Sequence, residues 1–128
     1  MSRTIPRLAL RILSALLSFA VLVQFYIAGM AAMTQPEWWN YHSTWVGIFQ
    51  WLVVPLPILA LIGERPRYRR AAFAFVPMIQ IALQYVLAHR ALEGRLSTGI
   101  GLHAVNGALL LVVATSLAIG WTDRKMSA

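Results

Sequence analysis

The sequence predicts an all-α fold: four membrane-spanning helices packed as an antiparallel, up-down-up-down bundle. The chain of 128 residues is 59% apolar and only 12% charged, whereas soluble domains carry about 25% charged residues. Its apolar residues fall into four windows of about 20 residues, which is the length that a helix needs to cross a bilayer. The connections between these windows are short, which favours antiparallel neighbours. We therefore expect residues 1–128 to form a single transmembrane domain.

The first predicted span covers residues 12–33 and the second covers residues 41–62, and neither contains a charged residue. The first window follows three arginines, as the apolar part of a signal peptide would. It is longer than the apolar stretch of about 7–15 residues in a signal peptide, so we interpret it as a retained span. Between the two windows, Thr34-Gln35-Pro36 is typical of a helix stop followed by a new helix start.

The third predicted span covers residues 71–89 and the fourth covers residues 100–121. Gly63 and Pro66 separate the second span from the third, and Gly94 and Ser97 separate the third from the fourth. Backbone groups in lipid must be hydrogen-bonded internally, so the four segments should be helical. They lack the alternation of polar and apolar residues that is typical of barrel strands.

Positively charged residues flank the spans unevenly, and the excess marks the cytoplasmic side. On one side lie only Arg90 and Arg95. On the other side lie nine residues: Arg3, Arg7, Arg11, Arg65, Arg67, Arg69, Arg70, Arg124 and Lys125. The sequence therefore predicts a multi-pass protein of the bacterial cytoplasmic membrane with both termini in the cytoplasm. The net charge of +7 reflects this topology and a lipid bilayer as partner, and it argues against a nucleic-acid partner, which requires a basic patch on a folded surface.

The chain resembles two copies of one helical hairpin. Gln24 begins Gln-Phe-Tyr-Ile-Ala in the first span, and Gln84 begins Gln-Tyr-Val-Leu-Ala in the third. His42 follows Gln24 by 18 residues, and His103 follows Gln84 by 19. Each hairpin thus has a glutamine on its first helix and a histidine on its second, which predicts two pseudo-symmetric halves. The alternative is a chance match between apolar segments that share a small set of residue types.

Polar side chains inside a membrane are costly, and they face the bundle interior or a cavity. His42 and His103 each lie about 9 Å from the outer end of their helix, and these helices are diagonal neighbours across the core. Two facing neutral imidazoles are the axial ligands that a b-type haem requires. We therefore predict His42 and His103 as the metal ligands of a haem b in an electron-transfer protein. The side-chain carbonyls of Gln24, Gln84 and Asn106 would orient the two rings.

Other residues would complete a haem site. Small residues on the faces of Gln24 and His103 would leave room for the macrocycle, namely Ala20, Ala28, Ala31, Gly107 and Ala114. Arg90 and Arg95 near the outer surface would meet the propionates. We expect His89 to be solvated at the interface. If its helix turned it inward, it would contact a quinone or the haem edge.

Two other functions remain open on the sequence alone. The buried histidine, glutamine and asparagine side chains can hold helices together without a cofactor, as in a structural or accessory subunit of a membrane complex. A small transporter is the second alternative, although the spans hold no Asp, Glu or Lys to couple a cation. The chain contains no cysteine and no recognisable catalytic motif, so the sequence gives no sign of an enzyme.

The order of these polar motifs resembles an uncharacterised family of short four-helix bacterial integral membrane proteins, a domain of unknown function. The matching residues are Gln24–Gly29, His42, Gln84 and Leu102–Asn106. The chain is more loosely similar to small b-type cytochromes, which carry paired histidines on four helices. Those proteins carry more histidine pairs than this chain does. The single predicted pair in this chain therefore limits the implied haem to one.

Overall fold

The structure is a computed structural model that describes residues 3–63 and 68–120. Its α-helices are α1 (Thr4–Met33), α2 (Trp38–Phe49), α3 (Pro55–Gly63), α4 (Tyr68–Phe73), α5 (Val76–Leu92) and α6 (Gly99–Ala118), with a 3₁₀ segment at Gln50–Val53. Four helical stretches are long and apolar enough to cross a membrane, and we call them the first to fourth spans: Thr4–Met33, Trp38–Gly63, Ala71–Leu92 and Gly99–Ala118. The predicted fold class, an all-α four-helix transmembrane bundle, is confirmed.

The helices do not stop where the uncharged windows stop. Helix α1 begins at Thr4 rather than near residue 12, because Arg7 and Arg11 continue the helix outside the apolar window. The predicted end of the fourth span near residue 121 lies outside the described residues. The same is true of four of the positive residues that predict the orientation: Arg65, Arg67, Arg124 and Lys125.

The second span is interrupted near its middle, between α2 and α3. Pro55 has no amide hydrogen and cannot donate to the carbonyl of Trp51 one turn earlier, and Pro57 removes a second donor. The chain tightens there into the 3₁₀ segment, and the amide of Val54 donates to the Trp51 carbonyl at 3.3 Å. Helix α2 is therefore joined to α3 through backbone of poorer hydrogen-bond geometry than an α-helix.

The third span also contains a break, at Ala74 and Phe75, before α5 begins at Val76. Pro77 lies in the first turn of α5, where a missing amide hydrogen removes no helical hydrogen bond. At the other end of α5, Gly94 has a φ of 70°. This left-handed conformation, which glycine adopts without strain, turns the chain back into the fourth span.

The spans pack in the order expected for an up-down-up-down bundle. The first span packs against the second and the fourth, and the third packs against the fourth. The second and third spans meet at the 3₁₀ segment, where the Tyr85 hydroxyl donates to Gln50 Oε1 at 3.0 Å. The second and fourth spans are therefore diagonal, and a residue on one can face a residue on the other across the core.

The core is thin, and the outside of the bundle is apolar. The largest fully buried aliphatic side chains are Leu17, Leu56 and Leu110, and buried alanines such as Ala60 and Ala114 let the helices approach closely. Large apolar side chains point outward along the whole length: Phe19 is 64% exposed, Ile79 62% and Val112 61%. Such a surface is stable against lipid tails rather than water, as expected for a multi-pass membrane protein.

Candidate functional site

Each span contributes one polar residue to the same region of the bundle: Gln24, His42, Gln84 and His103. The imidazole rings of His42 and His103 face each other across the bundle, with their centroids 6.3 Å apart and their planes inclined by 45°. Both side chains are half-buried. The structure thus brings the two predicted ligands together, because both lie in the first two turns of diagonal helices.

The ring of His103 is oriented by a carbonyl of the third span. Its Nδ1 atom lies 3.1 Å from the main-chain oxygen of Gln84. A carbonyl oxygen only accepts, so Nδ1 is the donor of this hydrogen bond, and Nε2 is left without a part in it. This is the arrangement of a histidine that is oriented for a metal. The orienting group is the main-chain carbonyl of Gln84 rather than its side-chain carbonyl, because the Gln84 amide extends towards Gly107.

The backbone of His42 is held by the first span. Gln24 Nε2 donates to the main-chain oxygen of His42 at 3.1 Å, and the ring of Trp39 lies against the His42 ring with centroids 5.3 Å apart. Among the described residues, the buried Nδ1 atom of His42 has no hydrogen-bond partner, and the same is true of Gln24 Oε1 and Gln84 Oε1. Three polar atoms around the histidine pair are therefore available to a ligand.

The structure places Asn106 about one helical turn beyond His103 on α6. Its Nδ2 atom donates to the main-chain oxygen of Gln80 at 2.9 Å, and the residue is buried. It therefore links the fourth span to the third rather than orienting His103. Gln80 is also buried, and its Oε1 atom has no partner among the described residues. Gln80 lies four residues before Gln84, and this spacing could have identified it from the sequence as a residue on the same helix face.

The small residues expected to leave room for a macrocycle are mostly packed. A Cβ atom on Gly107 would lie 3.0 Å from Gln84 Nε2 and 3.4 Å from Phe25 Cζ. Ala20, Ala31 and Ala114 are buried, and Ala20 and Ala114 belong to the main core cluster. The space beside Gly107 is thus occupied by the side chains of Gln84 and Phe25 in this conformation.

The polar residues near the C-terminal end of α5 interact with residues close to them in the sequence. His89 is exposed, and its Nδ1 atom lies 2.8 Å from the Tyr85 carbonyl of its own helix. Arg90 and Arg95 both reach the carboxylate of Glu93, at 3.6 and 3.5 Å. The structure therefore keeps His89 outside the pair formed by His42 and His103.

A groove opens on the outside of the bundle, between the first and second spans. Its volume is about 430 Å³, and it is lined by Ile27, Trp38, Tyr41, Thr44, Trp45 and Ile48. Trp45 is fixed in this wall because its Nε1 atom donates to the Ala20 carbonyl of α1 at 2.9 Å. The groove follows a neighbouring face of the helix that carries His42, and its apolar, aromatic walls suit the ring or chain of a lipid-soluble molecule.

Within residues 3–63 and 68–120, no three His, Cys, Asp or Glu side chains cluster in a way that could hold a metal ion. A metal at the histidine pair would depend on two imidazoles together with a macrocycle or amide oxygens. The fold and these residues define an integral membrane four-helix bundle with a polar site inside the apolar spans.

The chain belongs to a family of unknown function (DUF6220), whose family model matches residues 24–92. The resemblance to an uncharacterised family, drawn from the polar motifs, is thereby confirmed. The matched stretch contains Gln24, His42 and Gln84 and ends before His103. No curated protein and no solved structure matches the chain.

Proposed function

We propose that this membrane protein binds a b-type haem through His42 and His103 and takes part in electron transfer. The separation of the two rings supports this proposal. Two imidazoles on opposite sides of one metal ion, with metal–nitrogen bonds of about 2 Å, have ring centres about 6 Å apart. The centroids of His42 and His103 are 6.3 Å apart. The Nδ1 hydrogen bond of His103 further supports a role for its Nε2 as a ligand atom.

A macrocycle held by the two rings would need the space beside Gly107, which the Phe25 ring and the Gln84 amide fill in this conformation. The Phe25 side chain is 39% exposed, so its ring can rotate towards lipid without disturbing the core cluster. The Gln84 amide beside Gly107 would move with it, and its unpartnered Oε1 would then be free to accept a hydrogen bond. The groove beside α2 suits a quinone as redox partner, because it is apolar and lies on the helix that carries His42.

The test is the visible spectrum of the protein purified from cells supplied with haem. We expect a Soret band for the wild type and its loss or strong reduction in His42→Ala and in His103→Ala, since each removes one axial ligand. His89→Ala is the matched control, because it removes the third histidine of the chain and should leave the band unchanged. A colourless wild-type protein, or a band that survives both substitutions, would disprove haem binding by this pair.

A cofactor-free accessory subunit is the second candidate, and the interhelical hydrogen bonds favour it. Gln24, Trp45 and Asn106 each donate to a main-chain carbonyl of another span. Such bonds join helices in lipid without any ligand. In this case the wild-type protein is colourless, and crosslinking in native membranes followed by mild extraction recovers a second membrane protein in fixed stoichiometry.

A further inference from the structure

Unpartnered polar atoms recur along the interior of the bundle, beyond the histidine pair itself. Among the described residues, five buried side-chain atoms have no hydrogen-bond partner: Ser14 Oγ, Gln24 Oε1, His42 Nδ1, Gln80 Oε1 and Gln84 Oε1. Ser14 is completely buried, and Gln80 is 8% exposed. They lie in the first, second and third spans, so the feature belongs to the bundle as a whole.

These atoms lie at successive depths. Gln84 and Gln80 are one helical turn apart on α5, about 6 Å along its axis. Ser14 lies about 15 Å from Gln24 along α1, in the direction of the N-terminal end of the helix and so further from the histidines. Between them, Ser18 Oγ donates to the Ser14 carbonyl at 3.0 Å, and the Thr115 hydroxyl donates to Ser18 Oγ at 3.3 Å. The Ser18–Thr115 pair lies partly at the surface of the bundle. Polar groups thus continue along α1 from the level of the histidine pair to Ser14.

An unpartnered polar atom inside a bilayer is costly, because no lipid group can hydrogen-bond to it. Buried water removes this cost, and each buried water molecule typically makes about three hydrogen bonds to such groups. The unpartnered atoms are a hydroxyl, three amide carbonyls and an imidazole nitrogen, all of which can form a hydrogen bond with water. One or two helical turns beyond Ser14, the polar series reaches Arg11 and Arg7 on the same helix.

We propose that a water-filled path runs inside the bundle from His42 and His103, past Gln84 and Gln80, to Ser14. The path connects the histidine pair through water to the middle of the bundle. Hydrated protons can move along this path. The Gln84 carbonyl is hydrogen-bonded to the His103 ring. The part of the path beyond it does not depend on haem, because Gln80 and Ser14 lie at least one helical turn further along their helices.

Cysteine accessibility tests this path directly, because the chain contains no native cysteine. Single variants Ser14→Cys and Gln80→Cys are treated in native membranes with 2-aminoethyl methanethiosulfonate, a small water-soluble reagent, and the modified fraction is measured by mass spectrometry. The thiolate is the reactive form and requires water to form. Ser14→Cys changes one atom, and Gln80→Cys keeps the main-chain carbonyl that accepts from Asn106.

The matched controls are Leu17→Cys and Ile81→Cys. Leu17 is completely buried, as Ser14 is, and Ile81 is 6% exposed, close to the 8% of Gln80. We expect both test positions to react at least about tenfold faster than their controls, because only they face water. Equal rates within each pair would overturn the proposal. A Soret band measured on the same membranes is a separate result, so a failure of haem binding and a failure of the water path are distinguishable.

Discussion

Asn106 donates its side-chain amide across a helix boundary to the Gln80 carbonyl at 2.9 Å. Ser116 makes a hydrogen bond of similar length, 2.8 Å, but to the carbonyl of Val112 in its own helix. The two bonds differ in what happens when the spans separate. Separated helices in a membrane remain helical, so the Ser116 bond persists while the Asn106 bond is lost.

We therefore predict that Asn106→Leu lowers the free energy of unfolding by about 1 kcal/mol, the usual contribution of an interhelical hydrogen bond in a membrane. Leucine has the same branching and the same number of side-chain heavy atoms as asparagine, so it fills the space that the asparagine leaves. Ser116→Ala is the control and should change stability by less than about 0.5 kcal/mol. Unfolding by sodium dodecyl sulfate, followed by tryptophan fluorescence, measures both. Equal losses in the two variants would contradict an interhelical role for Asn106.

The polar residues around the histidine pair were recognisable in the sequence, but their hydrogen bonds were not. His42, His103, Gln24 and Gln84 stand out in sequence because polar residues are rare within apolar spans. Which atom of Gln84 accepts from His103 depends on side-chain rotamers and on the space beside a glycine, and neither leaves a pattern in the sequence. The partner of Asn106 was missed for the same reason.

Helices α5 and α6 cross closely where α6 begins. A Cβ atom on Gly99 would lie 2.7 Å from Ala91 Cβ and 2.9 Å from the Leu87 carbonyl oxygen. The second of these is backbone and cannot move aside as a side chain does. At Gly101, two residues further along α6, a Cβ atom would meet nothing within 4 Å. The same helix thus contains a glycine required by packing and one that is not.

Gly99→Ala should push α6 away from α5 and destabilise the bundle by about 1–3 kcal/mol, as overpacking of a close contact does. Gly101→Ala should be neutral or stabilise α6 by up to about 1 kcal/mol, because alanine is the better helix former. Both variants are compared by their melting temperature in one detergent. Equal melting temperatures of Gly99→Ala and Gly101→Ala would contradict the prediction.

The elements were predictable where length and hydropathy define them. Four apolar stretches of spanning length required four helices in lipid. Their ends were less predictable, because an uncharged window marks the depth of the membrane and not the end of a helix, and α1 continues through Arg7 and Arg11. Pro55 and Pro57 explain the 3₁₀ segment once it is seen, but prolines in a span are equally compatible with a smooth bend.

The molecule as a whole has its polar site displaced towards one end. The histidine pair lies near the turns that contain Gln35 and Ser97, whereas Arg7 and Arg11 lie at the opposite end of the first span. The uneven distribution of positive residues, nine against two, favours the arginine end as the cytoplasmic one. A redox partner, as proposed above, would then reach the histidines from outside the cytoplasm or from the outer half of the bilayer.

Single cysteines in the cysteine-free chain test this orientation. We expect a membrane-impermeant maleimide to label Gln35→Cys and Ser97→Cys on intact cells, and to label Thr4→Cys only after the cells are permeabilised, because positive residues remain inside. Labelling of Thr4→Cys on intact cells, with protection of the other two, would reverse the orientation. Thr4, Gln35 and Ser97 are all exposed, so reactivity depends on the side of the membrane.

The 3₁₀ segment makes the helices of the two histidines differ in how they are supported. His103 is part of α6, which is continuous from Gly99 to Ala118 and packs against two other spans. His42 is carried by α2, a 12-residue helix joined to the rest of its span through Gln50–Val53. Helix α2 is held beside the core by α1, through the hydrogen bonds from Gln24 to the His42 carbonyl and from Trp45 to the Ala20 carbonyl. The position of His103 therefore depends on one unbroken helix, whereas the position of His42 depends on hydrogen bonds between the first and second spans.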